Sequence, residues 1–267
     1  MKTQIIYPKH PLLKKHIQYF LFIDKDGFDK VNQICYPNTN HCLSLMQGGQ
    51  LVKQNSANYT ILPSKTNSSY LTGIYKNPIK ISTATPYKEL CINFNPFGME
   101  AILNTKLSSF LFKNAPLNSC KNTNWSNLYE IIFSNDSLQK KHSEIEGFFL
   151  ENLRDEKTNL YKIKWNEING TTQINDLSDM IFRSYRSTHR FFKNELQLTP
   201  KEFLLIKKIR LGMDMILAKN SITEIAYSLE FTDQSHFIKT FKKYTNLTPL
   251  KFRYNSSKVD NTLIWNI

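Results

Sequence analysis

The sequence is poor in the residues that build common catalytic sites. Its 267 residues include only eight glycines and four cysteines. With so few glycines, loops that cradle phosphates are scarce, and the chain contains no glycine-rich nucleotide motif, no serine elbow and no paired-histidine zinc motif. No two cysteines have C-x-x-C spacing, so we interpret them as reduced packing residues and expect no metal ion and no cofactor. We therefore expect no enzymatic activity and name no catalytic residue.

Long apolar runs are also missing. No stretch approaches 18 consecutive apolar residues, so we expect no membrane span. The first residues lack the apolar core and the cleavage site of a signal peptide, which favours a cytoplasmic protein.

Positive charge, in contrast, is in excess. The chain has 35 Lys and Arg against 22 Asp and Glu, a net charge of +13, and the excess is denser in the last third. A basic protein favours a polyanionic partner such as double-stranded DNA, because each neutralised phosphate releases condensed counterions. The alternative is that many of these lysines are merely solvated.

The hydrophobic pattern divides the chain into an α+β arrangement. Over residues 31–96, short apolar runs alternate with turn residues, which predicts a small antiparallel β barrel or sandwich. Over residues 12–21, and again over residues 97–155, apolar residues recur at helical spacing. Residues 254–261 have the composition of a loose tail. The polar stretch 154–159 is a candidate linker, so we expect a first domain at 1–155 and a second, all-α domain at 160–255.

The second domain contains one helical pattern twice. Residues 172–196 and 221–245 each read as a short amphipathic helix, a tight turn and a second, polar and basic helix, followed by Leu-Thr-Pro. Residues 200–218 predict one long helix between the copies, with Pro200 near its start. The pattern therefore predicts two helix-turn-helix units in tandem, whose second helices would enter neighbouring major grooves about 34 Å apart.

The second helix of each unit has a polar face of a distinctive composition. Ser184 and Asp233 are the candidate N-caps of these helices, and the apolar positions that follow should point inward. Ser221 and Glu224 predict a capping box at the start of the second unit. The outward residues are Arg, Lys, His, Gln and Ser, which suit phosphates and base edges. The candidate DNA-binding residues are Arg186, Ser187, His189, Arg190, Lys193, Gln234, Ser235, His236, Lys239, Lys242 and Lys243. An ordinary helical bundle is the alternative, but two matching copies favour DNA binding.

Four segments at the end of the chain resemble the C-terminal signature of AraC/XylS-type transcriptional regulators. They are Ile222–Ala226, Phe231–Phe237, Phe241–Lys242 and Thr248–Arg253, within a resemblance that covers about residues 165–254. It implies a seven-helix domain of two units joined by a linker helix. It also implies base contacts from Arg186, His189, Arg190, Gln234, Ser235, His236 and Lys239.

The first domain resembles, more faintly, a sensor-like domain that precedes this module in some members of the family. The segments that show this resemblance are Tyr36–Pro37, Leu71–Gly73 and Phe94–Gly98. The resemblance implies a domain that binds a small-molecule effector or mediates homodimerisation, and RNA polymerase is a further expected partner. It identifies no effector-binding residue. A ligand-binding or dimerisation module without DNA activity is the alternative function.

Several positions depart from the family pattern. Glycines usual at helix ends are replaced by Gln197, Glu230 and Asn246, while Gly212 stands where the linker helix usually has a small residue. Asn tolerates the left-handed conformation, whereas Gln197 and Glu230 would be strained if their φ angles are positive.

Overall fold

The computed structural model describes residues 1–103, 125–153, 163, 165, 167–259 and 263–266. The predicted linker at 154–159, and with it the expected domain boundary, lies outside these residues, as does the helical pattern of residues 107–112. Within the described ranges, no helix is long and apolar enough to cross a membrane.

Strands dominate the first hundred residues. They are β1 (Lys2–Ile6), β2 (Ile17–Lys25), β3 (Val31–Cys35), β4 (His41–Gln47), β5 (Gly49–Lys53), β6 (Asn58–Pro63), β7 (Ser68–Thr72), β8 (Ile79–Thr83) and β9 (Tyr87–Phe94). Five of them form a sheet of order β1-β2-β9-β4-β7, in which all neighbours are antiparallel. The other four form a sheet of order β3-β8-β6-β5.

The two sheets pack face to face. Tyr19 and Leu21 of β2 and Met46 of β4 meet Ile61 of β6, and none of these side chains is more than 4% exposed. This packing confirms the β-sandwich of the predicted α+β fold. One pair departs from the antiparallel expectation, because the chain crosses into the other sheet as β7 before it returns as β8. Strand β8 therefore runs parallel to β6.

The sheet region begins earlier than residue 31. We expected a helical period across Leu12–Leu21, but helix α1 (Pro11–His16) ends at His16 and β2 starts at the next residue. The helical expectation is therefore wrong for residues 17–21. All of these residues except Gln18, where the register shifts, pair with β9, and those from Phe20 onward also pair with β1. Sheet formation therefore overrides the local period.

Helices cover the other face of the five-stranded sheet. They are α2 (Gly98–Leu103), α3 (Trp125–Phe133) and α4 (Leu138–Asn152), which agree with the helical pattern predicted for this stretch. Leu128 of α3 and Phe149 of α4 pack in one core with Phe20, Leu43 and Leu90 of the sheet, and each of these side chains is at most 1% exposed.

Polar groups inside the sandwich bond to one another. The Tyr70 hydroxyl donates to the Glu89 carboxylate, and the Cys91 thiol donates to the same oxygen at 3.2 Å. Burial raises the pKa of Glu89. The cysteines of the described residues, Cys35, Cys42 and Cys91, are free thiols as expected, whereas Cys120 lies outside those residues.

The C-terminal part is helical, as the repeated pattern predicts. Its helices are α5 (Ile174–Met180), α6 (Tyr185–Phe191), α7 (Pro200–Leu217), α8 (Ile222–Ser228), α9 (Gln234–Thr245) and α10 (Pro249–Asn255), and Phe192–Leu196 extend α6 as a π-helical turn. Residues 167–259 thus contain six α-helices, one fewer than the resemblance implies for the whole domain. Residues 254–261 were expected to form a loose tail, but Tyr254 and Asn255 end α10, and β10 (Ser256–Val259) pairs with β11 (Leu263–Asn266).

Candidate nucleic-acid interface

Aromatic side chains fix the two reading helices, α6 and α9, to the linker helix α7. In the first unit, Phe192 is fully buried and its ring lies 5.1 Å from that of Phe203 on α7. In the second unit, Phe237 and Phe241 of α9 are fully buried, and the Phe237 ring packs close to Gly212 of α7. The inward residues predicted from the helical period are therefore core residues, and the opposite faces are left to solvent.

Gly212 lets α7 approach the second unit closely. A Cβ at this position would lie 3.2 Å from Leu229 Cδ1 and 3.2 Å from Phe237 Cε2. The neighbouring helix contributes Ala226, which is fully buried. A small residue is needed here because a larger side chain would separate α7 from the helix pair it supports.

The predicted N-caps hold the starts of both reading helices. The Ser184 side chain accepts from the Ser187 amide at 3.3 Å, and Asp233 Oδ1 accepts from the His236 amide at 2.8 Å. At the helix ends, Gln197 and Glu230 adopt φ angles of 56° and 55°. These are the left-handed conformations in which we expected backbone strain, and Asn246 shares them at 60°.

The outward face of α6 gathers most of the first unit's candidate residues. They line an open depression of about 440 Å³, whose lining residues are Tyr185, Arg186, His189, Arg190, Lys193 and Asn194. Ser187 lies outside this lining and is half-buried, whereas the other four candidates are exposed. The structure thus brings four of the five predicted residues together on one surface.

The outward face of α9 is exposed at all six candidate positions. Gln234 Oε1 accepts a hydrogen bond from Thr223 Oγ1 at 2.8 Å, which ties the first residue of α9 to α8. The His236 ring meets Phe231 edge-on, with ring centroids 5.3 Å apart. The candidate lysines follow along the same helix, so polar and cationic groups occupy successive turns.

No cation of either face is neutralised by a neighbouring carboxylate in the part of the chain that the structure describes. The six are Arg186, Arg190, Lys193, Lys239, Lys242 and Lys243. Because their charges are uncompensated, both faces are positive surfaces suited to an anionic partner.

Some residues of these surfaces were not among the sequence candidates. Tyr185 and Asn194 line the depression on α6, and Lys201 lines a neighbouring one of about 250 Å³. Tyr185 is exposed on α6 but was not among the candidate DNA-binding residues. Thr223 belongs to the scaffold helix of its unit, and only tertiary structure reveals its bond to Gln234.

The described residues contain no group of three or more His, Cys, Asp or Glu side chains that could hold a metal ion. His41 is buried. Desolvation by burial lowers the pKa of His41 to about 4, so it is neutral near pH 7.

The N-terminal part contacts both units. Phe97, in the turn after β9, stacks on Phe191 of α6 with ring centroids 5.2 Å apart, and Tyr36 meets Phe252 of α10 at 5.3 Å. Lys76 Nζ lies 2.6 Å from the carboxylate of Glu202 on α7. A change in the sandwich therefore has direct contacts through which it can reach the reading helices.

The chain was compared with known proteins. Residues 177–255 match a family model described as a helix-turn-helix domain. The chain is 26% identical over 152 residues to the Msm operon regulatory protein of Streptococcus mutans, which is 53% of this chain and 51% of that protein. It is 28% identical over 103 residues to the HTH-type transcriptional activator RhaS of Yersinia pestis, 37% of this chain and 38% of that protein. The chain thus spans about half the length of these curated relatives, or less.

Solved structures were compared as well. ToxT from Vibrio cholerae matches with a TM-score of 0.44 at 13% identity, over 95% of this chain and 98% of ToxT. An AraC-type regulator from Chromobacterium violaceum matches with a TM-score of 0.30 at 24% identity, over 32% of this chain and 76% of that one. By the family model and the curated relatives, the C-terminal third of this chain is similar to the helix-turn-helix domains of transcription regulators.

Proposed function

We propose that this protein is a transcription regulator that binds specific DNA sequences with α6 and α9 in successive major grooves. The observation that supports it best is the pair of capped helices. Each is fixed by buried aromatic rings, and each presents outward cations that form no ion pair with the described residues. Such cations supply affinity, since every phosphate they neutralise releases counterions. The uncharged polar groups near the helix starts supply hydrogen bonds to base edges.

The candidate residues divide into two roles. Arg186, His189, Arg190, Gln234, Ser235, His236 and Lys239 would read bases, whereas Ser187, Lys193, Lys242 and Lys243 would contact the backbone. An arginine can pair with guanine O6 and N7 through two hydrogen bonds, worth about 1–3 kcal/mol of discrimination. A lysine on a phosphate adds affinity without sequence preference.

The N-terminal domain, residues 1–155, would modulate DNA binding. The contact of Phe97 with α6 and the ion pair of Lys76 with α7 support this role, because they join the sandwich to the helices that hold the interface. A small-molecule effector, a second copy of the chain and RNA polymerase are the proposed further partners. Enzymatic activity is not part of the proposal, and a DNA target agrees with the expected cytoplasmic location.

The test begins with the full-length protein and a pool of random DNA duplexes. We expect enrichment of sequences with two conserved tracts about 10–10.5 base pairs apart. Arg186→Ala should then relax the preference at one base position, by about 1–3 kcal/mol, and leave the others intact.

A phosphate contact gives a different result. Lys242→Ala should weaken binding to all sequences alike and reduce the slope of log affinity against log salt concentration by about one unit. Lys65→Ala removes the same charge from an exposed position in the N-terminal part and should change neither quantity. If no sequence is enriched, the protein is the ligand-binding or dimerisation module that we consider as the alternative.

A further inference from the structure

The two units differ where the reading helix meets the scaffold helix. In the second unit, Thr223 near the start of α8 donates to Gln234 at the start of α9, at 2.8 Å. In the first unit, the second residue of α5 is Asn175 and the first residue of α6 is Tyr185. No hydrogen bond joins these two among the described residues. The bond is therefore a feature of the second unit only.

Both ends of this bond have a fixed backbone. A reciprocal capping box holds the start of α8, with Ser221 and Glu224 joined by hydrogen bonds of 3.0 and 3.2 Å. The Asp233 cap holds the start of α9. Since both capped helices have buried inner faces, the backbones that carry Thr223 and Gln234 are held next to each other, and the bond between the two side chains lies at the exposed surface.

The bond orients the carboxamide, because it turns the oxygen towards α8, although that oxygen keeps a second lone pair. A glutamine side chain has an acceptor oxygen and a donor nitrogen on opposite sides of one carbon. Because Oε1 is turned towards Thr223, the two N–H groups of Nε2 are directed away from it. Guanine presents two acceptors in the major groove, whereas adenine presents one acceptor and one donor. The usual glutamine–adenine pair requires Oε1 and Nε2 together.

We propose that Thr223 is a positioning residue that holds Gln234 as a hydrogen-bond donor, so that the second unit favours guanine over adenine at the base read by Gln234. The inference rests on the proposed function, because it specifies how one reading helix chooses its base. Removal of the hydroxyl would free Oε1 and allow the adenine pair to form.

The test uses the full-length protein and four variants, Thr223→Val, Thr223→Ser, Gln234→Ala and the double variant Thr223→Val with Gln234→Ala. Selection with Gln234→Ala identifies the base position at which preference is lost, and competition between duplexes with guanine or adenine there measures the ratio. We expect Thr223→Val to shift that ratio towards adenine about three- to tenfold, the size of one neutral hydrogen bond. Thr223→Ser keeps a hydroxyl and should retain the wild-type ratio. In the Gln234→Ala background, Thr223→Val should change nothing further.

The outcomes separate this inference from the proposed function. Absence of any selected sequence with the wild-type protein overturns both. If the wild type selects a sequence but Thr223→Val leaves the ratio unchanged, only the role of Thr223 is overturned. The same holds if Thr223→Ser behaves like Thr223→Val, or if Thr223→Val weakens all duplexes equally. The last result would indicate a phosphate contact or a purely structural role.

Discussion

Truncation of Phe97 to alanine should destabilise the protein strongly. The ring is 1% exposed, stacks on Phe191 at 5.2 Å and lies 5.7 Å from the ring of Trp165. Loss of a buried phenylalanine costs about 3–5 kcal/mol, from lost transfer free energy and from the cavity left behind. The backbone at Phe97 has a φ of 66°, and the substitution does not remove the resulting strain, because alanine is also strained in the left-handed region. The loss is a large part of the roughly 5–15 kcal/mol that stabilises a typical native protein.

The assay is urea unfolding followed by tryptophan fluorescence, because Trp165 lies beside the substituted ring. Phe28→Ala is the matched control: this side chain is 78% exposed, and its removal should change the free energy of unfolding by less than about 0.5 kcal/mol. Phe97→Leu keeps part of the apolar volume and should give an intermediate loss, which preserves the comparison if Phe97→Ala does not fold. An unfolding free energy for Phe97→Ala within about 1 kcal/mol of the control would refute the role of this ring in joining the two parts.

Three further variants test separate features of the fold. Gln197→Gly should stabilise the protein by about 0.5–1 kcal/mol in denaturant unfolding, because glycine relieves the positive φ at a modest entropic cost, and an unchanged midpoint would contradict the strain. Gly212→Leu should destabilise it by roughly 1–3 kcal/mol, since even a Cβ would lie 3.2 Å from its neighbours, and unaltered thermal unfolding would show that the helices are loosely packed. Glu202 concerns pH: partial burial raises its pKa, but hydrogen bonds from Lys76 and Thr199 outweigh this and lower the pKa to about 2 from 4.5. The depressed pKa of folded Glu202 stabilises the protein above about pH 4.5, and this stabilisation is lost as the pH falls towards 2. Glu202→Gln should therefore flatten the decline of the unfolding free energy at low pH. An identical decline in the variant would contradict this role.

Local signals in the sequence predicted the C-terminal part well. The capping box at Ser221 and Glu224 involves residues three apart, and the positive φ of Gln197 and Glu230 follows from their places at helix ends. Such features depend on neighbouring residues, so they can be recognised without the rest of the fold. The exposure of the candidate DNA-binding residues, apart from Ser187, followed for the same reason: the helical period fixes which positions are buried.

Features that depend on distant residues were not predictable. The helical period across Leu12–Leu21 concealed a strand, because pairing with β9 some seventy residues later decides its conformation. The parallel pairing of β6 with β8 depends on which sheet receives the intervening strand. The insertion of Phe97 against α6 and the bond from Thr223 to Gln234 are likewise tertiary contacts, and no pattern of spacing indicates them.

The central claim is that the two reading helices occupy successive major grooves of one duplex. Methylation interference at guanine N7, measured on a selected duplex with the full-length protein, tests it most directly because N7 lies in the major groove. We expect two tracts of interference on one face of the DNA, about 10–10.5 base pairs apart. Arg186→Ala should abolish interference at one guanine of the first tract, and Gln234→Ala at one guanine of the second, while the other positions keep theirs. A single tract, or two tracts that neither variant changes, would contradict the account.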